Sequence, residues 1–330
     1  MKKNNSFSSF ILILSFLLSA CGTSVQAEPT DIPPAPSDVP DTPEPTTEPT
    51  LEPIVITDDL EVEITLDMPA KTIVSISPSL TEILFGVGAG DRLVGRDSNS
   101  QFPEAALDVK DLGNMWDGIP VEAILALEPD LVLAGEIFSA DAINELRDLG
   151  LTVFWQANPK DFDGLYENIR VIAILTGTEG EAENLILSLQ NRVASLDEKL
   201  EAVEVVPLVF YELDASDPAN PWTTGSGTFI SYIINKAKGQ NLGDVLDGDW
   251  VQISSEELIV QNPEYILLAD GLYGITPESV AERAGWDKIS AVVEGNLLIF
   301  DPFILSVPGP RLVDGFEAVA KMIHPELFGN

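Results

Sequence analysis

The stretch EGEAENLILSLQNRVASLDEKLEAV, Glu179 to Val203, separates two halves of similar pattern. Its apolar residues Ala182, Leu185, Ile186, Leu189, Val193, Leu196 and Leu200 recur at helical spacing, with charged and amide side chains between them. One helix of some 20 residues spans roughly 30 Å, about the width of a small domain. On either side the pattern changes to strands alternating with helices. Upstream, the strands are TIVSI (72–76), RLVG (92–95), DLVLA (130–134) and TVFW (152–155). Helical segments lie between them: SPSLTEILFGVGAG (77–90), one after Pro120, and ADAINELRDLG (140–150). Ser79 and Glu82 have the spacing of a capping box, and the glycines fit a helix end.

Downstream the plan returns. PLVFYE (207–212), EYILL (264–268) and LLIF (297–300) read as strands; GTFISYIINKAKG, SSEELIVQN and the closing RLVDGFEAVAKMI read as helices. Strands separated by helices imply parallel sheets with helices on their faces. The expected fold is therefore α/β: two lobes with mainly parallel sheets flanked by helices, joined by one long backbone helix, with a ligand cleft between the lobes. The expected boundaries are 71–160 for the N-terminal lobe, 161–205 for the linking segment with its helix, and 206–330 for the C-terminal lobe.

The first 70 residues read differently. Lys2 and Lys3 precede an apolar run from Phe10 to Leu18, ending in LSAC at Cys21, which describes a secretory signal over residues 1–20. Cys21 is the only cysteine, so it makes no internal disulfide. The segment EPTDIPPAPSDVPDTPEPTTEPTLEP follows, with nine prolines and no Lys or Arg between Lys3 and Lys71. Such a composition does not bury enough apolar surface to order itself, so residues 21–70 read as an extended tether. Across the chain, 54 acidic residues stand against 17 basic ones, a net charge of −37. That balance excludes nucleic acid as a partner and otherwise describes a solvated surface.

One pattern occurs twice. WDGIPVEAILALEPDLVLA (116–134) returns in outline as WVQISSEELIVQNPEYILLA (250–269). Trp116, Glu122 and Pro129 correspond to Trp250, Glu256 and Pro263 at one spacing. Each copy is expected to set a tryptophan on the loop before a helix, an acid in its first turn and a proline before a strand. Helix geometry alone accounts for the pattern: the acid gains about 0.3–1 kcal/mol from the helix dipole, and the proline ends the helix. Two facing lobes would also place both acids on matching rims of one cleft.

Four motifs, SISPSLTEILFGVGAGDRLVG, GNMWDGIPVEAILALEPDLVLA, WTTGSGTFISYIINKAKGQNLGD and DWVQISSEELIVQNPEYILL, stand in an order that resembles a known family. It is the helical-backbone class of ABC-transporter substrate-binding proteins, which take cobalamin, ferric siderophores or haem. The motifs are nearest to the cobalamin-binding branch, and the resemblance covers nearly all of residues 71–328. LSAC resembles a bacterial lipobox, which implies a lipid on Cys21 and a place on the outer face of the cytoplasmic membrane. The resemblance further implies a dimeric ABC permease with its ATPase as partner, docked through Glu122 and Glu256, and a small-molecule ligand bound without catalysis or a cofactor of the protein's own.

For the ligand, Trp116, Trp222 and Trp250 stand next to helix starts, and aromatic walls suit a flat, partly apolar ring such as a corrin. Ser79 and Gly225, in the GSG run, precede helices whose free N–H groups suit an anionic group. Asp301 and Phe303 match a cleft-lining loop of the family. Trp155 and Trp286 are assigned to packing. Asn99 and Gly135 depart from the family, standing where cobalamin binders carry aromatics. A ferric siderophore would draw on Arg96 and Arg311. Haem needs an axial ligand such as His, Met or Tyr, and the only histidine, His324, is assigned to surface or packing. The want of histidines also disfavours capture of free zinc or manganese. Less favoured classes are an adhesion or scaffold lipoprotein, and a hydrolase built on paired carboxylates. GVGAG follows a helix rather than a strand, which removes the dinucleotide reading.

Overall fold

A computed structural model describes residues 52–329 of the chain. Its first element corrects the tether. β1 (Ile54–Thr57) and β2 (Glu63–Leu66) form an antiparallel hairpin with Ile54 opposite Leu66 and Thr57 opposite Glu63. Alternation in β2 sends Ile64 and Leu66 into the core while Glu63 and Thr65 face solvent. At the turn Asp58 is buried; its Oδ1 accepts from Leu60 N and Val62 N, and its Oδ2 accepts from Trp155 N and pairs with Arg147. The globular part thus begins near residue 54 rather than 71. Residues 1–51, with the signal segment, Cys21 and most of the expected tether, lie outside the described residues.

The N-terminal lobe is built on β3 (Ile73–Ser75), β4 (Leu93–Arg96), β5 (Leu131–Gly135) and β6 (Val153–Gln156), all parallel, in the order β4-β3-β5-β6. β3, β5 and β6 are buried along their whole length, as a sheet covered on both faces requires. α1 (Pro78–Gly86), α2 (Val121–Leu125) and α3 (Ala140–Asp148) follow β3, β4 and β5. The C-terminal lobe carries β7 (Leu208–Glu212), β8 (Trp222–Thr224), β9 (Gln240–Asn241), β10 (Trp250–Gln252), β11 (Tyr265–Leu268) and β12 (Leu297–Ile299). Four of these make a second parallel sheet, β12-β11-β7-β9, while β8 and β10 pair antiparallel in a separate ribbon.

Between the lobes run α4 (Phe162–Thr176) and α5 (Glu179–Leu200). Asp161 caps α4 by accepting from Gly164 N, and Gly177 ends it in the left-handed region at φ 63°, which turns the chain into α5. α5 is the helix expected from the spacing. Ala182, Ile186, Leu189, Val193, Leu196 and Leu200 are buried, and Leu185 is half-buried. It packs against α4 and the closing helix; α6 (Phe229–Lys236), α7 (Ser255–Gln261), α8 (Pro277–Ala281), α9 (Ser290–Glu294) and α10 (Leu312–Ile323) complete the chain. Leu80 and Ile83 of α1, Ile186 of α5, Ile233 of α6 and Phe316 of α10 belong to one continuous core. The lobes therefore share their apolar interior, and bending them apart would shear it.

Two local expectations fail. Ser79 and Glu82 form no capping box: α1 already begins at Pro78, Ser77 is its N-cap without a side-chain bond, and Glu82 is buried against Arg311. Trp250 is not on a loop but is the first residue of β10. Trp155 and Trp286 are buried, as assigned. His324 is buried too, with Nε2 3.2 Å from the Lys238 carbonyl oxygen.

Candidate functional site

A cleft of about 560 Å³ opens between the lobes. Its N-terminal wall is assembled from residues at and just past the strand ends of the first sheet. Ser77, Pro78 and Ser79 come after β3, Asp97 and Asn99 after β4, Gly135, Glu136 and Ile137 at the end of β5, and Asn158 after β6. Met115 and Trp116 add a 3-10 turn. The opposite wall carries Leu213 after β7, Phe229 at the start of α6, Trp250 opening β10, and the loop Ser306–Pro308. The carboxyl ends of parallel strands are where an open α/β sheet exposes a crevice, so the topology places the site.

Two indoles stand out. Trp116 is 75% exposed and Trp250 47% exposed, although both face the cleft. Trp250 meets Phe229 edge-on at 6.3 Å between ring centres, which fixes its orientation. Large apolar rings left open on facing walls are surface that a ligand gains by covering.

Polar groups on the N-terminal wall are held from behind. Ser77 Oγ lies 3.0 Å from Ser79 Oγ, and Thr81 Oγ1 bridges Ser75 Oγ at 2.9 Å and Ser100 Oγ at 3.0 Å. Ser100 in turn donates to Asp97, whose other oxygen accepts from Asn99 N at 2.8 Å. Burial raises the Asp97 carboxyl above its ordinary range, and the bonds from Ser100 and Asn99 oppose the rise. Gly135 leaves room for this packing, because a Cβ there would stand 2.8 Å from Ser77 Oγ and would push that side chain aside.

Beside the cleft the lobes are tied by charge. Arg311, just before α10, donates through Nε at 3.0 Å and Nη2 at 2.5 Å to Glu82 Oε1 on α1, and its guanidinium lies 4.2 Å from the centre of the Phe102 ring. Glu82 Oε2 is buried without a hydrogen-bond partner among the described residues, against Gly309. Burial raises the Glu82 carboxyl to about 7, with Arg311 pulling the other way.

Of the ligand residues expected from sequence, Ser79, Trp116 and Trp250 line the cleft; Trp222, Gly225, Asp301 and Phe303 do not. Trp222 opens β8, where its N–H donates to Asp214 O and it sits opposite Gln252. Gly225 has a structural reason to be glycine, since a Cβ would stand 1.9 Å from the Gly248 carbonyl oxygen. Asp301 spends its carboxylate on Phe303 N at 3.0 Å, starting a 3-10 turn. Arg96, considered for an anionic siderophore, is buried behind the wall with Nε on Ala106 O, and Arg311 is held by Glu82; neither lines the cleft. Sequence reasoning missed Asp97, Glu136, Asn158, Leu213, Phe229 and the 306–308 loop. Their shared signal was available: most come directly after a strand of a parallel sheet. Glu122 and Glu256 are exposed in the first turns of α2 and α7, each before the proline and strand of its repeat.

The Periplasmic binding protein family matches residues 73–302. An uncharacterized ABC transporter substrate-binding lipoprotein of Bacillus subtilis (strain 168) is 33% identical, over 84% of this chain and 87% of that protein. A protein named cobalamin-binding protein from Halobacterium salinarum is 27% identical over 82% of this chain and 74% of its own length. The solved vitamin B12 binding protein of Vibrio cholerae superposes with a TM-score of 0.67 at 25% identity, covering 79% of this chain and 99% of that one. A solved haem-binding protein of Roseiflexus sp. RS-1 shares the fold, with a TM-score of 0.70 at 23% identity over 78% of this chain and 99% of its own.

Proposed function

This chain belongs to the periplasmic binding protein family and is a substrate-binding protein of the ABC-transporter type, and from that premise we propose that its cargo is a corrinoid, cobalamin or cobinamide. The observation that carries the proposal is the lining of the cleft. Trp116, Trp250 and Phe229 offer apolar ring faces, Ser77, Asn99, Asn158 and Ser306 offer neutral hydrogen-bonding groups, and among the described residues no Lys, Arg or His takes part. A corrin has an apolar ring edged with neutral amides, which such a wall accepts. Haem carries two carboxylates and many ferric siderophores are anionic; neither finds a cation here. Among the described residues Met115 is the one lining side chain able to serve haem iron as an axial ligand. The cobalamin-binding names of relatives support the same reading.

Titration of the purified protein with cyanocobalamin or cobinamide should quench tryptophan fluorescence at one site per chain, with the ligand recovered unchanged. Tight binding of haem or a ferric siderophore, with no corrinoid binding, defeats the proposal.

Delivery requires a permease, and Glu122 and Glu256 are proposed as its two points of attachment. Both are exposed on short helices of opposite lobes. Replacing both by lysine sets like charges against a basic partner, which costs several kcal/mol at an interface. The Glu122→Lys, Glu256→Lys protein should remain folded, bind corrinoid normally and fail to stimulate its transporter. Loss of ligand binding together with transport would instead place the acids in the cleft's machinery.

Membership of the periplasmic binding protein family supports a location outside the cytoplasm. No helix among the described residues is long and apolar enough to cross a membrane. We propose attachment through a lipid on Cys21, so Cys21→Ser should move the protein from the membrane fraction to the soluble one; unchanged fractionation would refute the anchor.

A further inference from the structure

The charge of the cleft bears on which corrinoid it prefers. Two carboxylates line it, both on the N-terminal wall, and no lining cation answers them among the described residues. Asp97 is the smaller contributor, because it is buried, bonded at both oxygens and close to Arg96. Glu136 is exposed on the loop after β5. Its Oε2 accepts from Asn158 N at 2.8 Å, which holds the side chain on the wall and leaves Oε1 without a protein partner among the described residues. Lys160 is exposed two residues past Asn158 but outside the lining.

Resting on the corrinoid reading above, we propose that Glu136 makes this cleft select corrinoids of net positive charge, cobinamide-type molecules lacking the nucleotide loop, over those bearing a phosphodiester or carboxylate. A corrin holding trivalent cobalt is cationic at its centre, and its peripheral amides are neutral. The nucleotide loop adds a phosphodiester anion that cancels one positive charge. Between walls that exclude part of the water, a fixed carboxylate distinguishes these two charge states more strongly than bulk solvent does. The neighbouring Ser77, Asn99 and Ser306 recognise amides common to both, so the discrimination falls to Glu136.

The test is calorimetric titration of the purified protein and of Glu136→Gln with three probes: aquacyanocobinamide, cyanocobalamin, and a cyanocobalamin in which one peripheral amide has been hydrolysed to a carboxylate. Glutamine keeps the acceptor for Asn158 N and removes only the charge. In the unmodified protein cobinamide should bind about three- to tenfold tighter than cyanocobalamin, and the monocarboxylate should bind weaker than cyanocobalamin by a similar factor. Glu136→Gln should compress all three toward a common affinity, and raised salt should do the same to the unmodified protein. Cyanocobalamin binding as tightly as cobinamide, or a spread that survives Glu136→Gln, overturns the proposal while leaving the corrinoid reading intact. Failure of all three probes to bind overturns both.

Discussion

Replacing Trp116 and Trp250 together by alanine is expected to weaken corrinoid binding by about three to four orders of magnitude. Each indole carries about 150–250 Å² of surface, and covering half of it at roughly 25 cal/mol per Å² is worth about 2–3 kcal/mol. The two stand on opposite walls of the cleft, so their losses should add to about 4–6 kcal/mol, a factor of about a thousand to ten thousand. Stability should respond very differently. Trp116 is 75% exposed, and its removal takes almost nothing from the folded chain. Trp250 gives up its edge-on contact with Phe229, worth about 1 kcal/mol. Titration and thermal unfolding of the same variant therefore separate the roles. Trp222→Ala is the control: it lies outside the lining and should change affinity less than about twofold, within the range of ordinary surface substitutions. An intact affinity in the double variant would remove the aromatic walls from the binding site.

Arg311→Ala should produce a large loss of stability, about 3 kcal/mol near pH 8, seen as a fall of roughly 6–12 °C in melting temperature. Among the described residues Arg311 is the only bonded partner of the Glu82 side chain, which is sealed against Gly309 with Oε2 already unpaired. Without the guanidinium, Glu82 either stays ionised and unpaired or takes up a proton at a cost that grows with pH. The loss should accordingly shrink at pH 5, where the carboxyl is protonated with or without its partner. The unmodified protein should show a weaker form of the same dependence. Glu82 holds its proton more tightly folded, at about 7, than unfolded, near 4.5. The folded state thus binds more protons between those values, and this group's favourable contribution, full below 4.5, fades as pH rises through 7. Replacing both partners, Glu82→Leu with Arg311→Met, should restore most of the stability, because an apolar pair of similar volume avoids the desolvation that the ion pair must offset. A single variant as stable at pH 8 as the unmodified protein would mean the pair does not tie the lobes.

Glu82 and Arg311 also mark where sequence reasoning ends. The same Glu82 that fits a local capping box is drawn instead to a residue 229 positions away. A local rule weighs the helix end alone; burial beside a cation from the other lobe outweighs it, and that burial exists only once the lobes meet. The hairpin of β1 and β2 was lost for a related reason. Its alternation was visible in Glu63–Leu66, but the proline-rich, acidic surroundings masked it, and the anchor that orders it is Asp58 meeting Arg147 and Trp155 from the N-terminal lobe.

The sequence by itself determined what repeats along the chain. Helical spacing named α5 and its buried face, since period is a property of neighbours. Alternating strands and helices named two parallel sheets, since parallel strands need crossovers. The doubled motif placed Glu122 and Glu256 in matching first turns. The tertiary structure alone decided which side chains share the cleft. Trp116 and Trp250 qualify and Trp222 does not, although all three stand near helix starts, because the side a residue faces depends on sheet order and ribbon pairing. Asp97, Glu136 and Asn158 lie far apart in sequence with nothing in common but the ends of β4, β5 and β6. Only the parallel packing of those strands gathers them onto one wall, and with them the charge of the site.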